Sequence, residues 1–218
     1  MSDRFPCRLP REWFERRTLI VARDLIGCVL VHEAYDGITA GRIVETEAYL
    51  GPRDRAAHSF AGRQTERNSA MFGPKGRAYI YFIYGMHWCF NVVTGPVGLP
   101  QAVLIRALEP LCGLEIMRLR LAQPQAPAHS LCRGPGKLCR AMGITGNLYG
   151  ADLQGDTLYI APRTDQPRRI ATSPRIGIAY AGVFAAKPWR FWEDGNPCVS
   201  RHPRPAGVTS TRRNTRTM

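Results

Sequence analysis

Apolar positions along the chain recur first with a helical period and then with an alternating one. Pro10 precedes a stretch with Trp13 and Phe14 on one side, which predicts a short helix. Thr18 stands where a cap is expected for a second helix over 19–26, which Gly27 ends. Alternation then predicts strands over 28–32 and 39–49, joined by an Asp36-Gly37 turn and closed at Gly51-Pro52. Residues 52–77 are polar, glycine-rich and basic, a long connection of the kind that carries function. Three runs rich in aromatic and β-branched residues, 78–84, 88–94 and 102–108, are separated by Gly85 and by 95–100 and predict antiparallel strands. Apolar spacing predicts a helix over 114–122. A proline-rich loop over 123–129 follows, then a short helix over 137–142 behind Gly134-Pro135-Gly136. Residues 157–161, 175–181 and 189–192 have strand character.

There is no internal repeat. The expected fold class is α+β: one domain over residues 1–200, built on a mixed or antiparallel curved sheet with peripheral helices. The segment 201–218 is rich in Arg, Pro and Thr and has no acidic residue, the composition of a disordered basic tail.

Charge narrows the partners. The 218 residues carry 30 Lys+Arg against 17 Asp+Glu, a formal net charge of +13. Such a surface suits a polyanion, and duplex nucleic acid first among them. No apolar run approaches the roughly 18 residues of a membrane span, and the N-terminus lacks the apolar core of a signal peptide. A cytoplasmic, nucleoid-associated monomer with no membrane partner is therefore expected. Seven cysteines without an export signal suggest reduced thiols. With no CxxC and no paired-histidine motif, no metal site is expected. Dinucleotide, Walker and GxSxG fingerprints are missing, so no cofactor is implied.

Three features bear on chemistry. In IVETEAYLGP, strand alternation places Glu45, Glu47 and Tyr49 on one face. A carboxylate there can take a proton from water and orient it. The same spacing equally fits a solvated face paired with local arginines. In AYIYFIYGM, Tyr79 and Tyr81 share a face on which a planar base could stack, while Tyr84 before Gly85 could form a wedge between base pairs. Plain β core explains the same pattern. Arg53, Arg55, Arg63, Arg67, Lys75 and Arg77, with Arg133, Lys137 and Arg140, suit phosphate contacts beside the candidate pocket. The GPGK turn at 134–137 could offer backbone N–H groups to a phosphate.

These motifs, taken in order, resemble the 3-methyladenine (alkyladenine) DNA glycosylase family of mixed α/β type. The resemblance runs from about 19 to 200 through IVETEAYLGPRDRAAHSF, GRQTERNSAMFGPKGRAYIYFIYGMHWCFNVV, VLIRALEP, LCRGPGKLCRAMGI, PRIGIAYAG and AAKPWRFW. It implies a monofunctional base-excision enzyme that flips an alkylated purine out of double-stranded DNA and hydrolyses its glycosidic bond with an activated water.

Residue by residue, the resemblance makes Glu47 the general base. Arg106 helps place the water and the neighbouring phosphate, and the backbone carbonyl of Ile176 is a third anchor. Tyr49, His58 and Tyr81 hold the flipped base, and Asn91 at the pocket floor disfavours the exocyclic amine of normal guanine. Tyr84 fills the vacated stack beside Met86, and Arg63, Arg67 and Lys137 face DNA. An alkylated purine is cationic and leaves readily, whereas neutral hypoxanthine or ethenoadenine would need a proton donor, for which His58 is the one candidate. The resemblance leaves lesion preference and the function of Glu45 open.

The chain departs from the eukaryotic members at His87, where an aromatic is expected, and lacks their N-terminal extension, as in bacterial-length members. Two other readings stand beside this one. A non-catalytic module could bind damaged DNA or RNA with the same sheet. A lyase could use Lys75, Lys137 or Lys187, the only lysines, to form a Schiff base.

Overall fold

The first helix, α1 (Arg11–Glu15), begins where Pro10 fixes the backbone at φ −70° and turns Phe14 into the core. The second, α2 (Thr18–Asp24), has Arg17 rather than Thr18 as its N-cap. The Thr18 hydroxyl donates instead to Gln101 Oε1 at 2.6 Å and accepts from Thr94 Oγ1 at 3.2 Å, so tertiary contacts take the group that a cap would have used. Phe5 and residues 7–163 and 165–200 are described by this computed structural model. The basic segment expected to form a tail, 201–218, lies outside the described residues.

Eight strands follow the order β1 (Val29–Ala34), β2 (Gly37–Tyr49), β3 (Ala78–Ile83), β4 (His87–Thr94), β5 (Gln101–Cys112), β6 (Leu158–Ala161), β7 (Ile170–Ser173) and β8 (Arg190–Glu193). They form one curled sheet in the order β3-β4-β5-β2-β1-β6, with β8 bridging β2 and β7, and every pairing is antiparallel. The α+β class expected from the sequence is the one observed. Tyr35 and Asp36 form the β1–β2 turn, since Ala34 already pairs with Gly37.

β2 is the organising strand. Its first half pairs with β1, and residues 45–47 pair with β8, while its other edge follows β5. Two register shifts interrupt the β2–β5 ladder between Ile43 and Thr46, leaving Val44 on β2 and Arg106 on β5 without a direct partner. Bulges of this kind bend a strand and re-aim its side chains.

The sheet has two different faces. On one, Ile43, Ala48, Ile80, Phe90, Val103 and Ile105 pack against α1 and α2 and against α3 (Leu114–Leu121) and α4 (Pro135–Met142) in the main core. Truncating a fully buried aromatic there, such as Phe90, costs about 3–5 kcal/mol. The opposite face carries polar and aromatic side chains. The long 52–77 connection folds over it as 3-10 turns at Gly51–Arg53, Phe60–Gly62 and Glu66–Phe72. Thr65 and Asn68 cap the last of these reciprocally, and the Asn68 amide donates to the His58 and Arg63 carbonyls at 3.0 and 2.9 Å.

One expected strand is not formed. Residues 175–178 run irregularly beside β2 into a 3-10 turn at Ala179–Phe184, and the strand lies earlier, at Ile170–Ser173. Pro174 and Gly177, the latter at φ +77°, break the extended run. The expected short helix begins at Pro135 rather than at 137. Among the described residues, no helix is long and apolar enough to cross a membrane.

Candidate active site

A groove of about 1700 Å³ is lined by Tyr49, His58, Tyr81, Asn91, Arg106 and Ile176, and it continues past the β3–β4 hairpin to α4 and the β1–β2 turn. β2 contributes Glu45, Glu47 and Tyr49 from one face, as alternation predicts. The bulge at Arg106 turns its guanidinium toward both acids: Nε donates to Glu45 Oε1 at 2.9 Å, and Nη1 lies 3.3 Å from Glu47 Oε2.

Glu47 is fully buried. Its Oε1 accepts the Ile176 N–H at 2.7 Å and its Oε2 accepts the Tyr49 hydroxyl at 2.9 Å. Hydrogen-bond donors therefore flank the carboxylate on both oxygens, and its direction is set by backbone and side chain together. The segment at Ile176 reaches Glu47 through its N–H.

Glu45 is also buried and is held differently. Arg190 Nε donates to it at 2.7 Å, and Ser200 adds its N–H at 2.7 Å and its hydroxyl at 2.9 Å. Burial pushes the Glu45 carboxyl up, but Arg106, Arg190 and the Ser200 bonds outweigh it and hold the group below the ordinary carboxylate value. The result is an alternating row, Arg190–Glu45–Arg106–Glu47, in which each buried charge meets an opposite one.

The aromatic slot stands beside this row. The His58 and Tyr81 rings meet edge-on at 4.6 Å between centroids, and His58 Nδ1 lies 2.6 Å from the Tyr79 hydroxyl. Burial, then the Arg67 charge, lowers the His58 pKa. The shift favours the neutral ring over the imidazolium. Burial and neighbouring acidic groups raise the Tyr49 and Tyr81 hydroxyls well above the ordinary tyrosine value, so both remain protonated donors. Asn91 is buried at the base of the slot, where its amide donates to the Tyr79 carbonyl at 3.0 Å.

The β3–β4 hairpin forms the rim. Met86 N donates to Ile83 O, and the two residues between, Tyr84 and Gly85, have φ +54° and +65°. That is the sense required of a tight primed turn. Glycine meets it without strain, while Tyr84 takes a conformation that costs a non-glycine residue about 1–3 kcal/mol. Its ring is 79% exposed, and Met86 beside it is 65% exposed.

The basic residues separate into two groups. Arg63 and Arg67 are exposed; Arg67 donates to the Phe82 carbonyl at 2.6 Å and lies 5.6 Å over the Tyr81 ring, beside the hairpin. Lys137, in the first turn of α4, lines the groove. Lys75, by contrast, is buried and donates to the Leu99 carbonyl at 2.6 Å, and Arg77 donates to the Gly150 carbonyl at 3.0 Å. Sequence reading grouped these two with the phosphate-facing residues; they hold loops together instead.

Sequence reasoning also missed Asp54 and Arg175, both buried, which form a bidentate pair at 2.6 and 2.9 Å behind Tyr49. Asp54 lies inside a quoted motif, GPRDR, as one acid among arginines. Arg175 falls at the start of the strand that is not formed. Neither carries a periodicity that distinguishes it.

A sequence profile of the methylpurine-DNA glycosylase (MPG) family matches residues 12–197. Provisionally named 3-methyladenine DNA glycosylases of Bacillus mycoides (strain KBAB4) and Bacillus cereus (strain G9842) are each 50% identical over 202 residues, covering 88% of this chain and 98% of theirs. One from Bacillus thuringiensis (strain Al Hakam) is 48% identical over 202 residues with the same coverage.

Proposed function

This chain belongs to the methylpurine-DNA glycosylase family, hydrolases of N-glycosyl bonds that act on alkylated bases in DNA repair, and from that premise we propose that it flips the damaged purine into the slot between Tyr49, His58 and Tyr81 and cleaves it with a water activated by Glu47. The observation that carries this reading is a single constellation: a buried carboxylate with Tyr49, Arg106 and Ile176 as neighbours, beside an aromatic slot and under a basic rim.

The chemistry follows from the substrate. A purine alkylated on a ring nitrogen is cationic, so its bond to C1′ breaks with the electron pair returning to the base, which leaves neutral. Positive charge then builds on the sugar, where the Glu47 carboxylate opposes it. The water oxygen bonds to C1′ and its proton passes to Glu47. Stacking a cationic base on tyrosine faces adds about 0.5–2 kcal/mol.

The hairpin tip enters the vacated stack through Tyr84, with Met86 beside it. Arg63, Arg67 and Lys137 hold phosphates without reading sequence. Asn91 at the base of the slot discriminates by hydrogen bonding and shape. The enzyme acts as a monomer and without a cofactor. It is monofunctional, with water and not a lysine amine as the nucleophile.

The test is release of free base from a duplex carrying one 3-methyladenine or 7-methylguanine under single-turnover conditions. Release with no borohydride-trapped adduct is the expected result. Tight binding of the lesion without release would favour the non-catalytic reading, and a trapped adduct would favour the lyase.

A further inference from the structure

We propose that the buried pair Asp54–Arg175 is a positioning device for the site, holding Ile176 on Glu47 and keeping the aromatic slot at its working width. The proposal rests on the reading of Glu47 given above, and its test separates the two.

Arg175 and Asp54 have no exposed side-chain surface. Arg175 Nη1 donates to Asp54 Oδ2 at 2.6 Å and to the Ala48 carbonyl at 2.9 Å, and Nη2 donates to Asp54 Oδ1 at 2.9 Å. Ala48 is the residue between Glu47 and Tyr49. The guanidinium carbon also lies 4.7 Å from the Tyr49 ring centroid and 5.0 Å from that of Trp189. One cation thus touches the backbone and the ring of the strand that carries the acid. The very next residue, Ile176, donates its N–H to Glu47 Oε1 at 2.7 Å.

Asp54 acts on a third segment. Its two oxygens accept the Leu50 and Ala56 N–H groups at 3.1 and 3.0 Å, which folds the turn after Tyr49 and delivers the chain to His58. The pair therefore joins the end of β2, the loop bearing His58 and the irregular segment bearing Ile176. No regular ladder does this, because 175–178 form no strand.

Stability alone is a poor reason for such a pair. Two buried charges lose their hydration, and well-packed apolar side chains of similar size frequently do as well. Arg175 Nε is moreover buried with no hydrogen-bond partner among the described residues, a cost that an ion pair selected only for stability would avoid. What a planar, bidentate guanidinium gives is direction and spacing.

The experiment compares Arg175→Gln, Arg175→Lys and Asp54→Asn with the wild type. Three quantities are read: single-turnover release of 7-methylguanine, the Kd for a duplex containing a tetrahydrofuran abasic analogue, and the thermal melt. Positioning gives a split. Release falls about 100-fold in Arg175→Gln and Asp54→Asn and about 10-fold in Arg175→Lys, which keeps one charged donor, while every Kd stays within about threefold. Equal loss of binding and release, unchanged release in a folded variant, or loss of the cooperative melt in all three would overturn it. Failure of the wild type itself to release methylated base would instead count against the reading of Glu47.

Discussion

Tyr49 donates its hydroxyl to Glu47 Oε2 at 2.9 Å from only two residues away on the same strand. Strand alternation makes this possible, since positions i and i+2 share a face. The tyrosine thereby belongs to the slot and to the acid at once, so the base and the attacking group are set by one backbone. Glu47→Gln keeps the shape and removes the basic oxygen. Single-turnover release is expected to fall at least about 100-fold, with the Kd for lesion duplex nearly unchanged. Normal release by this variant would remove Glu47 from catalysis.

Glu45 answers differently to the same change. It is buried, makes no contact with Tyr49 and accepts from Arg106, Arg190 and Ser200. Glu45→Gln removes the acid that Arg106 and Arg190 both meet, and breaking a buried pair of this kind costs about 3–5 kcal/mol. A larger drop in thermal stability is expected than for Glu47→Gln, which takes away an acid that meets one arginine rather than two. Equal melting temperatures for the two variants, read by calorimetry, would contradict the charge row described for this face.

At the hairpin tip, stability and function should separate. Tyr84 holds φ +54° without the freedom of glycine. Tyr84→Gly removes that strain, which favours the folded state by up to about 1 kcal/mol against glycine's greater entropy in the unfolded chain. The melting temperature is expected to hold or rise while release of a well-paired lesion slows. Equal slowing of a lesion placed opposite a gap would show that the ring does something other than fill the stack.

Two histidines set an acid limit to stability. Burial lowers the His32 pKa, partly countered by the Met142 carbonyl at its ring nitrogen, and burial with Arg67 lowers that of His58. A histidine whose folded pKa lies below its unfolded value binds fewer protons when folded. Its contribution is complete above the unfolded pKa near 6.5 and is lost as pH falls through the folded value. Melting temperature is therefore expected to decline from pH 7.5 to pH 5.5, and less steeply in His32→Gln. A flat profile in the wild type would show that neither ring is held neutral.

Much of this arrangement is legible in the residues. Alternation places Glu45, Glu47 and Tyr49 together, and the aromatic run supplies Tyr79 and Tyr81, because a half-buried strand writes its two faces as a period of two. What stayed hidden depends on register and on long-range charge. The bulge that turns Arg106 between two acids leaves no periodic mark. Lys75 and Arg77 look like their exposed neighbours until the carbonyls they satisfy are known. Residues 175–178 have strand composition, yet Pro174 and Gly177 break the ladder and Arg175 is claimed by Asp54, 121 positions away.

The first turn of α4 offers a last test, since Gly136 has no space for a side chain. A Cβ on Gly136 would lie 2.8 Å from His87 Cγ, beside the turn of the hairpin that bears Tyr84. The close approach couples two parts of the rim, the Gly134–Lys137 turn and the hairpin, which would otherwise move independently. Gly136→Ala must shift the backbone at His87 or lift the turn, because His87 Cβ as well as Cγ stands within 3.0 Å of the added carbon. A modest loss of duplex affinity, about 3- to 10-fold, is expected. Removing the obstacle should restore it: in Gly136→Ala with His87→Gly the Kd returns to within about twofold of His87→Gly alone, a coupling that independent sites would not show. Simple additivity of the two changes would mean that the turn contributes to binding without the hairpin's help.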